Sequence, residues 1–154
     1  MEPETFRMLF QILFAAFLGL VMGLERQHSG KTAGLRTYAL IAMGAALFTI
    51  LSVEGFSKTT GLPDPTRVAS QVVIGVGFLA GGLIFVKGGS VVGLTTAAGL
   101  WVSAAIGMAV GLQMYSIATF TAILALIILW PLKKLESRMG IADEDSGNDK
   151  NRGV

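Results

Sequence analysis

Apolar residues in this chain come in long uninterrupted blocks. They do not alternate as strands do, and they do not repeat as a soluble amphipathic helix does. The blocks run over 8–24, 35–53, 68–86 and 91–130, separated by short polar stretches. At 1.5 Å per helical residue, roughly 20 such residues cross the ~30 Å hydrocarbon layer of a bilayer. Each of the first three blocks therefore predicts one membrane helix. The block 91–130 carries no charged residue and is long enough for two spans, with a natural break at Gly111-Leu112-Gln113-Met114. The expected fold is an all-α membrane bundle of five helices over about 8–24, 35–53, 68–86, 91–110 and 114–130.

The punctuation agrees with that division. Residues 25–36 (ERQHSGKTAGLR) form a short loop rich in cations, and 54–66 (EGFSKTTGLPDPT) form a second with two prolines. Asp64 suits the cap of the third helix, and Pro65 its first turn, where a missing N–H costs nothing. Lys87-Gly88-Gly89-Ser90 reads as a tight turn, and Pro131 as the stop of the last helix. Residues 8–135 thus form one transmembrane domain, and the polar, acidic stretch 136–154 reads as a disordered cytoplasmic tail.

Glycine is concentrated inside the apolar blocks. Gly75, Gly77, Gly81 and Gly82 fall in the third, where each would weaken a soluble helix by roughly 1 kcal/mol. In a bilayer, small residues let a neighbouring backbone approach. GxxxG pairs occur at Gly19/Gly23, Gly77/Gly81, Gly89/Gly93 and Gly107/Gly111. Spans three and four then form the glycine-rich centre. So much small-residue surface also predicts a homodimer.

Composition narrows the class further. Hydrophobic residues make up 53% and charged residues 14%, against about 25% charged in soluble domains, and the mean hydropathy is +0.67. With a net charge of +2 and no basic stripe, nucleic acid is not an expected partner. There is no cysteine, and His28 is the one histidine, which excludes thiolate chemistry and a multi-histidine metal site within one chain. Residues 1–7 contain Glu2, Glu4 and Arg7, so a signal peptide's positive start is missing and the first block is expected to be retained. Five spans place the termini on opposite sides. Arg26, Lys31, Arg36, Lys87, Lys133, Lys134, Arg138, Lys150 and Arg152 then share one side, and Arg7, Lys58 and Arg67 the other. That asymmetry predicts an N-out, C-in orientation.

Candidate chemistry lies at the ends of spans one and three. Glu25 is either an intramembrane ion or proton site, or a structural ion pair with Arg36. Asp64, Arg67 and Gln71 are either an outer polar vestibule or a helix cap with a cross-helix bond. Thr95, Thr96 and Ser103 either line a path or return hydrogen bonds to their own i−4 carbonyls. Mg²⁺ requires near-octahedral oxygen ligands. Glu25 and Asp64 are expected on opposite faces of the bilayer, so they cannot share one ion. No cofactor is expected. Ser29-Gly30-Lys31-Thr32 has Glu25 where a phosphate-binding loop needs its first glycine, and Gly75–Gly81 reads GxGxxxG with no preceding strand. No nucleophile, base and acid set points to an enzyme.

Seven blocks together resemble the MgtC/SapB family of bacterial membrane proteins. They are Phe17-Leu18-Gly19-Leu20 leading to Gly23-Leu24-Glu25-Arg26, Ala33-Gly34-Leu35-Arg36-Thr37, Gly44-Ala45-Ala46-Leu47-Phe48, Asp64-Pro65-Thr66-Arg67-Val68-Ala69, Gly75-Val76-Gly77-Phe78-Leu79-Ala80-Gly81-Gly82, Gly93-Leu94-Thr95-Thr96-Ala97-Ala98, and Leu100-Trp101-Val102-Ser103-Ala104-Ala105. The resemblance implies a five-span protein of the bacterial inner membrane, linked to growth at low magnesium. It implies a regulator of other membrane complexes, such as the F-type ATP synthase, with transport of Mg²⁺, H⁺ or another cation as the second reading. Some members of the family carry a soluble C-terminal domain; here the stretch 136–154 follows the last span, and such a domain is not expected in it.

Overall fold

The computed structural model describes residues 2–55 and 65–132. Asp64, Lys58, Lys133, Lys134 and the stretch 136–154 lie outside the described residues, and with them the expected cap and tail. Among the described residues five helices occur in chain order: α1 Pro3–His28, α2 Leu35–Ile50, α3 Pro65–Gly81, α4 Leu94–Gly111 and α5 Tyr115–Ile127. Two single π-helical turns extend α2 over Leu51–Gly55 and α5 over Ile128–Leu132. Four helical stretches are long and apolar enough to cross a membrane: Pro3–His28, Leu35–Glu54, Leu94–Gly111 and Tyr115–Leu132. In α3 the apolar stretch is shorter, Ala69–Gly81.

The third span therefore does not reach residue 86. The α3 helix ends at Gly81, and Leu83 and Ile84 donate to the carbonyls of Ala80 and Gly81 in a tight turn. The chain then makes an antiparallel hairpin, β1 Phe85–Lys87 with β2 Ser90–Val92, in the register Phe85↔Val92 and Lys87↔Ser90. Its two turn residues, Gly88 and Gly89, have φ of 60° and 84°. Positive φ at both positions is what a two-residue hairpin turn with matching twist demands. Gly93 has φ 96° at the start of α4, and a Cβ there would collide with the backbone of Leu83. It serves backbone conformation, not the helix-face role expected from the Gly89/Gly93 pair.

Helix α1 packs on α2 and α4, and α2 packs on α4, which together form the centre of the bundle. A Cβ at Gly19 would lie 2.6 Å from the Tyr38 carbonyl oxygen, and one at Gly23 2.6 Å from the Leu35 Cα. Gly107 abuts the Ala42 backbone, and Gly111 abuts Thr49 and Ala46. Helix α3 instead lies at the side, placing Val72 and Val76 against Ala45 and Ala104, while Ala80, buried one turn further on, joins the main core. These three buried residues are four apart and form one stripe. Its glycines face elsewhere: a Cβ at Gly75, Gly77 or Gly81 would meet nothing within 4 Å, and one at Gly82 would touch only the carbonyls of Leu79 and Phe78. Among the described residues, the tight contacts of helical glycines thus lie on α1 and α4, mostly against α2, and none lies on α3.

The break between α4 and α5 falls where expected. Gln113 sits in it with φ 63°, the one non-glycine residue of positive φ among the described residues. An L side chain in the left-handed region costs about 1 kcal/mol. Gln113→Gly should raise the thermal unfolding midpoint in mild detergent, and the β-branched Gln113→Val should lower it. Pro131 falls inside the π-helical turn Ile128–Leu132 and does not end α5 at once. The wider turn is the local adjustment that absorbs the missing N–H and the ring's clash with the preceding turn.

Candidate functional site

Helix α1 runs antiparallel to α2 and α4, which run parallel to each other, so each end of the bundle gathers residues distant in sequence. At one end Arg7 Nη2 donates to Glu54 Oε1 at 2.6 Å, tying the start of α1 to the end of α2. Gln11 is buried there. Its Nε2 donates to the carbonyls of Val110 at 2.9 Å and Gly111 at 2.8 Å. The last carbonyls of a helix have no partner within it, so Gln11 closes the end of α4 from α1. At the opposite end, Arg26 is 1% exposed. Its Nε donates to Glu25 Oε2, and its Nη2 to the Leu129 carbonyl at 3.4 Å. Ser29 Oγ donates to the other Glu25 oxygen at 2.8 Å.

Between the two ends, Tyr38 is fully buried against Gly99. Its hydroxyl donates to the Thr96 carbonyl at 3.3 Å, and its own carbonyl accepts from Ser103 Oγ at 3.1 Å. Thr49 returns a bond to the Ala45 carbonyl at 2.8 Å, the i−4 pattern. A trio of rings, Phe10, Phe14 and Tyr115, joins α1 to α5 with centroids 5.8 to 5.9 Å apart.

The residues singled out in the sequence are distributed over these two ends. Glu25 is ion-paired, but with Arg26 and not with Arg36, which is exposed at the start of α2. Its geometric reason is that Arg26 points inward from the same helix end, whereas Arg36 points outward. Thr96 is buried and Thr95 exposed. Ser103 bonds across to α2, neither to its own i−4 carbonyl nor into a path. Arg67 and Gln71 lie at the other end, on the exposed side of α3. Together with Phe48, Ser70 and Val72 they line a groove of about 550 Å³ between α2 and α3. No group of three or more His, Asp or Glu that could hold a metal ion occurs among the described residues.

The sequence did not mark Arg26 or Tyr38 as structural centres. An arginine beside a glutamate at a helix end looks interfacial, and a lone tyrosine in an apolar block looks like ordinary core. Gln11 is the one strongly polar residue inside the first apolar block, and its acceptors lie 99 and 100 residues away.

Apolar helices whose outer faces carry large exposed side chains (Phe6, Leu13, Leu40, Phe78, Phe120 and Trp130 among them) and whose interior polar groups bond one another define a multi-pass membrane protein. Comparison with known proteins is specific about which kind. The family model described as MgtC family matches residues 12–138, and the chain belongs to that family. "Putative magnesium transporter YhiD" of Escherichia coli (strain K12) is 44% identical over 139 residues, covering 88% of this chain and 65% of that protein. "Protein MgtC" of Brucella abortus (strain 2308) is 46% identical over 121 residues, covering 77% and 49%. "Protein SrpB" of Synechococcus elongatus is 36% identical over 137 residues, covering 82% and 75%. The chain thus spans about two thirds of the first of these relatives and half of the second. No solved structure matches it.

Proposed function

We propose that this chain is an inner-membrane regulator tied to magnesium limitation, which acts by contact with another membrane complex and not by conducting ions through its own bundle. One observation carries the reading. Four polar side chains buried among the described residues are engaged with protein partners: Gln11 with the end of α4, Arg26 with Glu25 and Leu129, Ser103 with Tyr38, and Thr49 with Ala45. A conducting path needs polar groups free to exchange with a hydrated ion. The link to magnesium comes from the family and from the name of the E. coli relative. The cations Lys31, Arg36 and Lys87 lie at the end of the bundle that holds Glu25, which supports N-out, C-in insertion. The reading extends to a homodimer that uses the open glycine face of α3, and the F-type ATP synthase is the first complex to probe.

The test has two arms. In reconstituted liposomes, Mg²⁺, H⁺ and K⁺ fluxes should equal those of empty vesicles. Affinity-tagged chain at native expression should co-purify with a membrane complex under magnesium limitation. Mg²⁺ flux above background would establish the transporter reading in its place.

A further inference from the structure

The hairpin between α3 and α4 leaves one apolar face open among the described residues. Side chains alternate along each strand, so Phe85, Lys87, Ser90 and Val92 share one face and Val86 and Val91 the other. Val92 is buried, which turns the base of the first face toward the bundle. The second face looks away from it: Val86 is 71% exposed and its cross-strand partner Val91 42%. A two-stranded hairpin is marginally stable in water by itself, so a cover over this face would stabilise it.

The position of the hairpin limits what the cover is. Helix α4 has 18 residues and is about 27 Å long, close to the ~30 Å thickness of the hydrocarbon layer. Leu94 therefore stands at one edge of that layer, at the end of the bundle that holds Glu25. Val91 is three residues before Leu94, so it lies within about 11 Å of it. Val86, paired with Val91, is held at the same level. The headgroup region beyond the hydrocarbon edge is roughly 5–8 Å deep, so both valines are tethered within reach of it.

The backbone decides between the occupants. In a three-residue strand of such a ribbon, at most two residues turn their N–H and C=O outward. An edge that short does not template a further strand, which argues against strand addition by a partner protein. The same outward groups would stay unpaired in hydrocarbon. The headgroup region satisfies both demands: water and lipid oxygens meet the backbone there, and the acyl boundary meets the valines. Lys87, on the other face beside the turn, keeps its ammonium in water.

We propose that the hairpin is an interfacial anchor whose Val86–Val91 face rests on the acyl boundary of the bilayer, with the lipid surface as its partner.

The chain has no cysteine, so a single nitroxide label reads each position without background. Val86→Cys, Val91→Cys, Lys87→Cys and Ser90→Cys would be labelled one at a time, with the full chain in phosphatidylcholine nanodiscs. Collisions of the label with oxygen, which concentrates in lipid, and with a water-soluble nickel chelate report its surroundings. All four positions are exposed, so the labelled chains should keep wild-type circular dichroism. Labels at 86 and 91 should meet oxygen more often than nickel, as at lipid-facing Phe120→Cys, and nickel at least threefold less often than at the exposed loop position Thr32→Cys. Labels at 87 and 90 should meet nickel as often as at Thr32→Cys. Nickel collisions at 86 and 91 equal to those at Thr32→Cys would place the face in water. Few collisions with either reagent would place protein over it, such as a second copy. Equal accessibility at all four positions would remove the two-faced seating. Each of these three results would overturn the assignment.

Discussion

Gly107→Ala should destabilise the bundle by about 1–3 kcal/mol or more, the range for adding volume to a packed interior. The added carbon has nowhere to go, because it meets the backbone of Ala42, which cannot rotate aside as a side chain would. Gly19→Ala should behave alike against the Tyr38 carbonyl and Ala39. By contrast, Gly75→Ala and Gly77→Ala meet open space and should fall within about 1 kcal/mol of the wild type, on the stabilising side, since alanine is the better helix former. An SDS titration of the helical circular dichroism signal reads all four. The same series tests the proposed dimer. Gly77→Leu should preserve helicity while halving the mass measured in nanodiscs. A bundle that tolerates Gly107→Ala and collapses with Gly75→Ala would place the tight packing on α3 instead.

Arg26→Met should cost about 3–5 kcal/mol, the usual consequence of removing one member of a buried ion pair. The Glu25 carboxylate, with 11% of its side chain exposed, would keep only the Ser29 hydroxyl among its present partners, and the Leu129 carbonyl would lose its guanidinium donor. The double variant Glu25→Leu with Arg26→Met should recover most of that loss, because it removes the uncompensated charge itself. Arg36→Met, at an exposed position, should change stability by no more than about 0.5 kcal/mol. These outcomes separate the structural ion pair from an ion-binding role for Glu25. If Glu25→Gln abolished a measurable cation flux while Arg26→Met left the fold unchanged, the carboxylate would be serving an ion and not the arginine.

Much of the architecture was legible in the apolar pattern. Block length predicted helices over 8–24 and 35–53, and the charge-free stretch 91–130 split at Gln113 as its length required. The hairpin at 85–92 was not legible. Val-rich segments on either side of Gly88-Gly89 read as the ends of two spans, because an apolar run alone does not distinguish a helix end from a short strand. The turn itself was visible, since paired glycines can take the positive φ that a two-residue hairpin needs. The candidate site was legible only in its residue types. Glu25, Arg67 and Gln71 were visible as costly polar groups beside apolar blocks, but the pairing of Glu25 with Arg26 was not.

By itself, then, the sequence determined the class of protein, the order of the five helices among the described residues and the position of most turns there. Those are properties of consecutive residues: the apolar length that a bilayer requires and the φ that glycine permits. Only the tertiary structure decided which glycines are filled and which polar groups are satisfied. Gly107 has no room for a side chain because Ala42 lies against it, and Gly77 is open because nothing among the described residues comes within 4 Å of its Cβ position, although the two look identical along the chain. Gln11 finds its acceptors 99 and 100 residues away, and Arg26 finds Leu129 103 residues away. Such pairings depend on which helix faces which, and that is settled by packing the whole bundle at once and not by any one segment's composition.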